Sequence, residues 1–422
     1  MSPPHRIAVL TGTRADYGLF QPLLDELARE PRFATSLIVT GSHLTPRFGA
    51  TVEEIERDGH RIARRVPLPL DGDSELDVAR AMGAALSGVA EALATERPDL
   101  LILLGDRYET LAAACAALLA RVPIAHLHGG ELSQGAVDDA MRHAITKMAW
   151  LHFPATATAA RRIEQLGEDP ARVFTVGALG VDNALRGPKL GKSTLEGELG
   201  PLFGPETALV TFHPVTLEQR DCPAQIGELL LALDGLPDLW TVFTMPNADA
   251  GNLAVAEAIE RFCASHPERA RSFASLGARR YLSLLALADI CLGNSSSGVI
   301  EAPALGTPTV DVGERQAGRD RAACVLHCEP QAGAIAATLR RALSPEVRRI
   351  AETCPNPYGD GHAAERIVDV LRHRMPISGT LIKRFRDVPA GSPTTASREP
   401  SDGPTMASRE PSADGLTTAP GD

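Results

Sequence analysis

Aromatic residues make up only 4% of this 422-residue chain, and tryptophan occurs twice. That scarcity argues against an aromatic-rich β-sandwich; the 44% hydrophobic content, mostly Ala, Leu and Val, suits helices layered on parallel strands. Long apolar runs are also missing. A bilayer span needs roughly 20 residues, and the longest candidate, Leu111–Ala120, is closed off by Arg121. The opening MSPPHRIAVLTG has no cleavage-like segment, so no signal peptide is expected, and no membrane association. Basic residues are in deficit: the formal net charge of -11 excludes a broad electrostatic grip on nucleic acid but leaves room for a local basic pocket. The 7 cysteines include no CxxC pair, which fits a reducing compartment and implies a cytoplasmic location. Cys324, His327 and Cys328 have metal-like spacing in CVLHC, yet no second ligand pair lies nearby and the segment reads as an apolar strand; no metal is expected.

At this length one core does not suffice, and two lobes plus a tail are the simplest division. Short apolar runs alternate with amphipathic stretches, as in a doubly wound parallel sheet. Strands are expected at Ile7–Thr11, Ser36–Thr40, Leu100–Leu104, Pro123–His126, Leu151–Phe153 and Val173–Val176, with helices over Leu19–Arg29, Ala79–Thr95 and Tyr108–Ala120. A hinge is expected at Leu185–Ser193. A second alternation places strands at Leu209–Phe212, Trp240–Thr244, Ser272–Ser275, Ile290–Leu292 and Thr309–Val312. The expected division is therefore 1–184, 185–385 and a disordered, Pro-, Ser- and Thr-rich tail at 386–422 that repeats ASREPS, with the last helix before the tail packing back on the first lobe. Facing lobes of this kind bind ligands at the carboxyl ends of their strands.

Four loops carry chemistry. The first strand runs into TGTRADYGLF, where Arg14 and a helix opening near Leu19 could receive an anion; a plain tight turn is the alternative. LLGDRYE puts Asp106, Arg107 and Glu109 where an apolar run stops. HLHGGELSQGAVDDAMRHAITK crowds His126, His128, Glu131, Asp138, Asp139, Arg142 and His143 around a Gly-Gly turn, a density of titratable groups that a solvated surface does not call for. In the second half, strands end at His213 and at Asn247, and LGNSSSGVIEAPALGTP sets Ser295 and Ser296 before a helix expected to open at Gly298, with Glu301 in its first turn. Hydroxyls beside a helix N-terminus can cradle a phosphate, and the carboxylate can reach a ribose; a capping box with Ser297 as N-cap is the bland reading.

These strings, with RADYG, VTGSHL, GDRYE, DDAMRHAITK, HPVT, PNADAG, GNSSSGVIE and GERQAGR in order from about Arg6 to Arg372, resemble the hydrolysing UDP-N-acetylglucosamine 2-epimerases of sialic acid and related nonulosonate pathways. The resemblance implies two Rossmann-like lobes of glycosyltransferase-B type, a UDP-sugar as partner, no cofactor, and a homodimer or homotetramer. It places Arg14, His213, Asn247, Ser295, Ser296, Glu301 and Arg315 on the UDP; Arg107, Arg142 and His143, from the dense loops, are further expected to bind the substrate. Asp106, Glu131 and one of Asp138 and Asp139 fall in the acid–base set, and His213 also counts among the catalytic groups. Carboxyl groups so close together are expected to leave one of them protonated near neutral pH. The implied reaction releases UDP and a free 2-epimer, N-acetylmannosamine or an analogue, through a 2-acetamidoglucal. A non-hydrolysing epimerase, a glycosyltransferase of the same fold and a silent sugar-nucleotide sensor are the rivals.

Overall fold

The computed structural model describes residues 3–45, 51–72, 74–133, 137–214, 222–246, 252–377 and 381–387. The expected hydroxyl-rich tail beyond residue 387, and Asn247, lie outside these residues.

Among the described residues twelve strands run β1 (His5–Thr11), β2 (Phe33–Thr40), β3 (Ile62–Val66), β4 (Leu100–Leu104), β5 (Ile124–Leu127), β6 (Leu151–Phe153), β7 (Glu206–Thr211), β8 (Leu239–Thr244), β9 (Ala270–Phe273), β10 (Ile290–Gly293), β11 (Thr309–Val312) and β12 (Val325–Cys328). Between and after them lie α1 (Arg14–Arg29), α2 (Val52–Arg57), α3 (Glu75–Glu96), α4 (Tyr108–Ala120), α5 (Asp138–Met148), α6 (Ala157–Gln165), α7 (Leu179–Arg186), α8 (Lys192–Leu199), α9 (Cys222–Asp234), α10 (Asn252–Ser265), α11 (Gly277–Leu287), α12 (Ser296–Ala304), α13 (Ala332–Ala342), α14 (Pro345–Thr353) and α15 (Ala363–Arg374). The strands form two six-stranded sheets, β3-β2-β1-β4-β5-β6 and β12-β11-β10-β7-β8-β9. Every pairing is parallel, and counted from its own first strand each sheet has the same doubly wound order. In both halves the order reverses beside the first strand, which opens a crevice at the carboxyl ends of β1 and β4, and of β7 and β10.

Several elements follow from local chemistry. Strands β1 and β4 are buried on both faces, which explains their unbroken apolar runs. Helix α1 opens at Arg14 rather than near Leu19. Thr13 caps it in a box with Asp16, so Arg14, Asp16 and Tyr17 belong to the helix, and Tyr17, Phe20, Leu23, Leu24 and Leu27 form its buried stripe. Helix α12 opens at Ser296, not Gly298; Ser295, not Ser297, is the N-cap, and Glu301 falls beyond the first turn. Val173–Val176 is not a strand, contributing only a bridge between Val173 and His152. Conversely β3, whose Arg64 and Arg65 are exposed, is an edge strand that lacks a readable apolar alternation.

The last helix, α15, packs into the core of the first sheet: Ala363, Ile367 and Leu371 join Ile7, Phe20 and Leu27. Its N-terminus is held by Asp182 of α7, which accepts from the backbone N–H groups of Ala363 and Ala364 at 2.9 and 2.8 Å. A smaller apolar cluster joins Ala155, Ala178 and Val181 to Val299, Ile300 and Tyr358. These contacts tie the two sheets into one compact body. Among the described residues no helix is long and apolar enough to cross a membrane.

Candidate functional site

The first sheet ends in a connected ionic cluster. Asp106, just past β4, pairs with Arg142 of α5, which is almost fully buried. Arg142 also donates to the carbonyl of His128 at 2.8 Å and to Ser133 Oγ at 3.1 Å. Ser133 is the hub: its hydroxyl reaches Asp106 at 3.4 Å, and its backbone N–H donates to Asp139 Oδ1 at 2.7 Å. Asp138 and Asp139 form the first turn of α5, where the helix dipole favours carboxylates, and His143, one turn on, lies 3.6 Å from Asp139. Only a sharp turn brings these groups together. Gly130 has φ 76° and its Cα abuts the carbonyl of Ala159, so a side chain there would collide with backbone.

Glu131 sits at the centre of the cluster and is buried. His128 Nδ1 lies 2.7 Å from Oε1, while Arg319 and Arg142 approach Oε2 at 3.5 and 4.0 Å. Burial pushes the Glu131 carboxyl up, but His128, Arg319 and Arg142 together outweigh it and hold it well below the usual carboxylate range. The expectation of a proton retained by neighbouring carboxyls is therefore not met at Glu131: buried arginine separates it from Asp106.

Arg319 comes from the second half. Its Nε donates to the carbonyl of Leu132 at 3.0 Å; beside it Gly318 and Asp320 accept from Arg162 and Thr158 of α6, at 2.9 Å in both cases. Three successive residues of the second half are thus fastened to the first.

The second sheet ends in a different arrangement. Asn294, following β10, clamps His213 in both directions: its Oδ1 accepts from the His213 N–H at 2.7 Å, and its Nδ2 donates to the His213 carbonyl at 2.8 Å. Arg315 and Gln316 both donate to the Asn294 carbonyl, at 3.1 and 2.9 Å. Gly293, at φ 131°, lies against the backbone of Thr211, which makes this junction inaccessible to any residue with a Cβ. Burial, reinforced by Arg315, pushes the His213 imidazole down to about 3, so it is neutral. Ser295 and Ser296 cap and open α12. Glu301 lies against Gly180 of α7, its Oε2 is buried without a hydrogen-bond partner, and burial raises its pKa.

Arg14 and Arg107 stand apart from both clusters. Arg14 is half-exposed, pairs with Glu54 at 3.2 Å and approaches Gly277 of the second half. Arg107 pairs with Glu109 at 3.3 Å, near Asp16. Sequence reasoning assigned no role to His128, Arg319 or Asn294. His128 stood in the dense histidine–carboxylate stretch, but its left-handed backbone was invisible there; Arg319 lies far along the chain from its partners. One group among the described residues, Glu314, His327 and Glu329, has ligand atoms within 4.8 Å of one another that could hold an ion, all three being exposed.

The strand ends of the second half offer Arg315 and the α12 N-terminus to an anion, and the carboxylate–histidine cluster of the first half has groups that can move protons. Comparison with known proteins places the chain as a whole. A family described as UDP-N-acetylglucosamine 2-epimerase matches residues 25–372. The chain is 37% identical over 324 residues to the Campylobacter jejuni protein named GDP/UDP-N,N'-diacetylbacillosamine 2-epimerase (hydrolyzing), covering 77% of this chain and 84% of that one. It is 35% identical to the Legionella pneumophila UDP-N,N'-diacetylbacillosamine 2-epimerase (hydrolyzing), covering 90% of this chain and 98% of that one. The fold superposes on the crystal structure of UDP-GlcNAc 2-epimerase from Neisseria meningitidis bound to UDP-GlcNAc with a TM-score of 0.76 and 18% identity, over 87% of this chain and 100% of that chain. Two doubly wound lobes of glycosyltransferase-B type, these strand-end clusters and a match that spans most of the sequence lead to one assignment: the chain belongs to the UDP-N-acetylglucosamine 2-epimerase family.

Proposed function

We propose that the protein is a hydrolysing UDP-sugar 2-epimerase, a cytoplasmic enzyme working as a homodimer or homotetramer. It converts a UDP-2,4-diacetamido-2,4,6-trideoxy sugar and water into UDP and the free 2-epimer. Support for the hydrolytic outcome and the sugar comes from the two relatives at 37% and 35% identity, both named for that reaction. The carrying observation is geometric. A cationic, hydroxyl-rich strand end suited to a nucleotide faces a carboxylate–histidine cluster suited to proton transfer, and Arg319 joins the two.

The C2 proton of the sugar is not acidified by a carbonyl, so departure of the leaving group has to lead. As the C1–O bond to UDP stretches, positive character at C1 acidifies C2–H, and anti-elimination gives a 2-acetamidoglucal. Arg14, Arg315 and the α12 N-terminus meet the charge growing on the β-phosphate, while Ser295, Ser296, Glu301, His213 and Asn247 hold the nucleotide. His213, being neutral, acts as a hydrogen-bonding group rather than a counter-charge. Asp106, Glu131, Asp138 and Asp139 form the acid–base side, positioned by Arg142 with Arg107 and His143 at its margin. Water then adds at C1 and a carboxylic acid protonates C2 from the opposite face.

The test is incubation with this sugar nucleotide, and in parallel with UDP-N-acetylglucosamine, in deuterated water, followed by NMR. The expected product is free 2-epimer carrying deuterium at C2. UDP-linked product would indicate the non-hydrolysing reaction, and product without ring deuterium would overturn the elimination scheme.

A further inference from the structure

His128 occupies an unusual backbone position. Its φ is 60°, in the left-handed region that a residue with a Cβ adopts only at a cost. Two glycines follow it in the same turn, so the fold had a strain-free residue type at hand; what histidine adds there is its ring.

That ring is oriented from one side only. Nδ1 lies 2.7 Å from Glu131 Oε1, and the other oxygen of Glu131 faces Arg319 at 3.5 Å and Arg142 at 4.0 Å. An ionised carboxylate only accepts, so Nδ1 carries the hydrogen and a neutral ring has its lone pair on Nε2. Nε2 is buried without a hydrogen-bond partner in the protein. The charged and titratable groups around the ring are Glu131, Arg142, Arg319, His126 and, from α12 of the second half, Glu301. Glu131, by contrast, has both oxygens engaged, Oε1 by the His128 ring and Oε2 by Arg319 and Arg142, and binds a proton weakly. Asp106 is likewise engaged by Arg142. Apart from His143 Nδ1 one turn along α5, the uncommitted proton acceptor among the described residues of the cluster is Nε2 of His128, on an imidazole whose other nitrogen is held by a carboxylate, the arrangement that makes a histidine an effective base.

Resting on the elimination reading above, we propose that His128 is the catalytic residue that receives the C2 proton of the UDP-sugar, with Glu131 as the positioning residue that fixes its tautomer. In the elimination the C2–H bond breaks and its proton passes to Nε2. The electron pair of that bond becomes the C1=C2 bond, and the C1–O pair leaves on the β-phosphate of UDP. In the hydration a carboxylic acid gives a proton to C2, water adds its hydroxyl to C1, and the proton water leaves behind restores that acid. The imidazolium returns its proton to solvent.

The experiment uses His128→Gly, because glycine suits the left-handed backbone and should not unfold the turn; His128→Asn, also at ease there, is the second variant. Both are measured for UDP affinity, for UDP release from the UDP-sugar, and for hydration of 2-acetamidoglucal supplied together with UDP. The expected pattern is UDP affinity within about threefold of wild type, UDP release lowered by roughly 10²–10⁴-fold, and hydration of the supplied glucal retained. UDP release within about threefold of wild type overturns the proposal, as does loss of glucal hydration in the same proportion as release, since a structural role would abolish both half-reactions. Wild-type protein that releases no UDP from either UDP-sugar defeats the functional reading itself, a result distinct from either of these.

Discussion

The two halves of the chain are wound in the same strand order, yet the carboxyl ends of their sheets carry opposite chemistry. Past β4 and β5 the first half gathers Asp106, Glu131 and Asp139 around a buried arginine and two histidines. Past β7 and β10 the second half offers hydroxyls, a helix N-terminus, a neutral histidine and Arg315, with the His213 backbone and Arg315 held by the side chain and carbonyl of Asn294. Topology is thus a scaffold for either task, and the loops decide which. The difference is also electrostatic: charge in the first half is internally compensated, whereas Glu301 in the second is desolvated and has one oxygen unpartnered.

The sharpest way to break this comparison is to remove the internal compensation. Arg142→Met leaves Asp106 and Glu131 without their shared buried partner and is expected to cost about 3 kcal/mol of stability, read by urea unfolding. A loss below about 1 kcal/mol would mean that solvent, not Arg142, balances the cluster.

A pH series tests where the halves agree. His126 in the first and His213 in the second are both pushed down to about 3, chiefly by burial, from an ordinary 6.5. Between those values the unfolded chain binds more protons than the folded one. Their contribution is complete above pH 6.5 and declines as pH falls, by up to about 1.4 kcal/mol per pH unit for each histidine. His213→Gln should make the decline shallower across that window, and an unaltered slope in denaturant titrations would remove His213 from the account.

Ligand affinity should separate the halves again. Glu301→Gln is expected to weaken UDP binding about tenfold, near 1.4 kcal/mol, in titration calorimetry. Asp106→Asn should leave UDP affinity within about twofold, because the proposed mechanism assigns Asp106 to the sugar. The smallest effect is expected at the cap of α12, where Ser295→Ala should cost about 0.5–1 kcal/mol in thermal unfolding, since its hydroxyl accepts from Ser297 at a long 3.4 Å.

Much of this was legible beforehand. Strand β4 begins and ends where its apolar run does, since a strand buried on both faces leaves an unbroken hydrophobic record, and β6 and β11 keep their expected bounds although His152 and Asp311 interrupt them. Edge strand β3 left none, and the apolar run at Val173–Val176 did not pair as a strand, because pairing depends on a neighbour as well as on side chains. The starts of α1 and α12 came earlier than periodicity indicated: capping by Thr13 and Ser295 governs a helix's first turn before its apolar stripe begins. Among candidate site residues, Asp106, Glu131, Asp139 and Arg142 do meet. Arg14 and Arg107 instead pair locally with Glu54 and Glu109.

By itself the amino-acid order determined the alternation of strands and helices and the positions of the reactive loops at strand ends, because periodicity, capping and turn chemistry act over a few residues. Only the tertiary structure decided which charges neutralise one another. Arg319 meets the Glu131–Leu132 segment across 187 residues of chain, and such a meeting is set by where parallel crossovers and lobe packing deliver the two loops. The left-handed set of His128, and with it the direction of its free nitrogen, is likewise a property of the packed turn between β5 and α5.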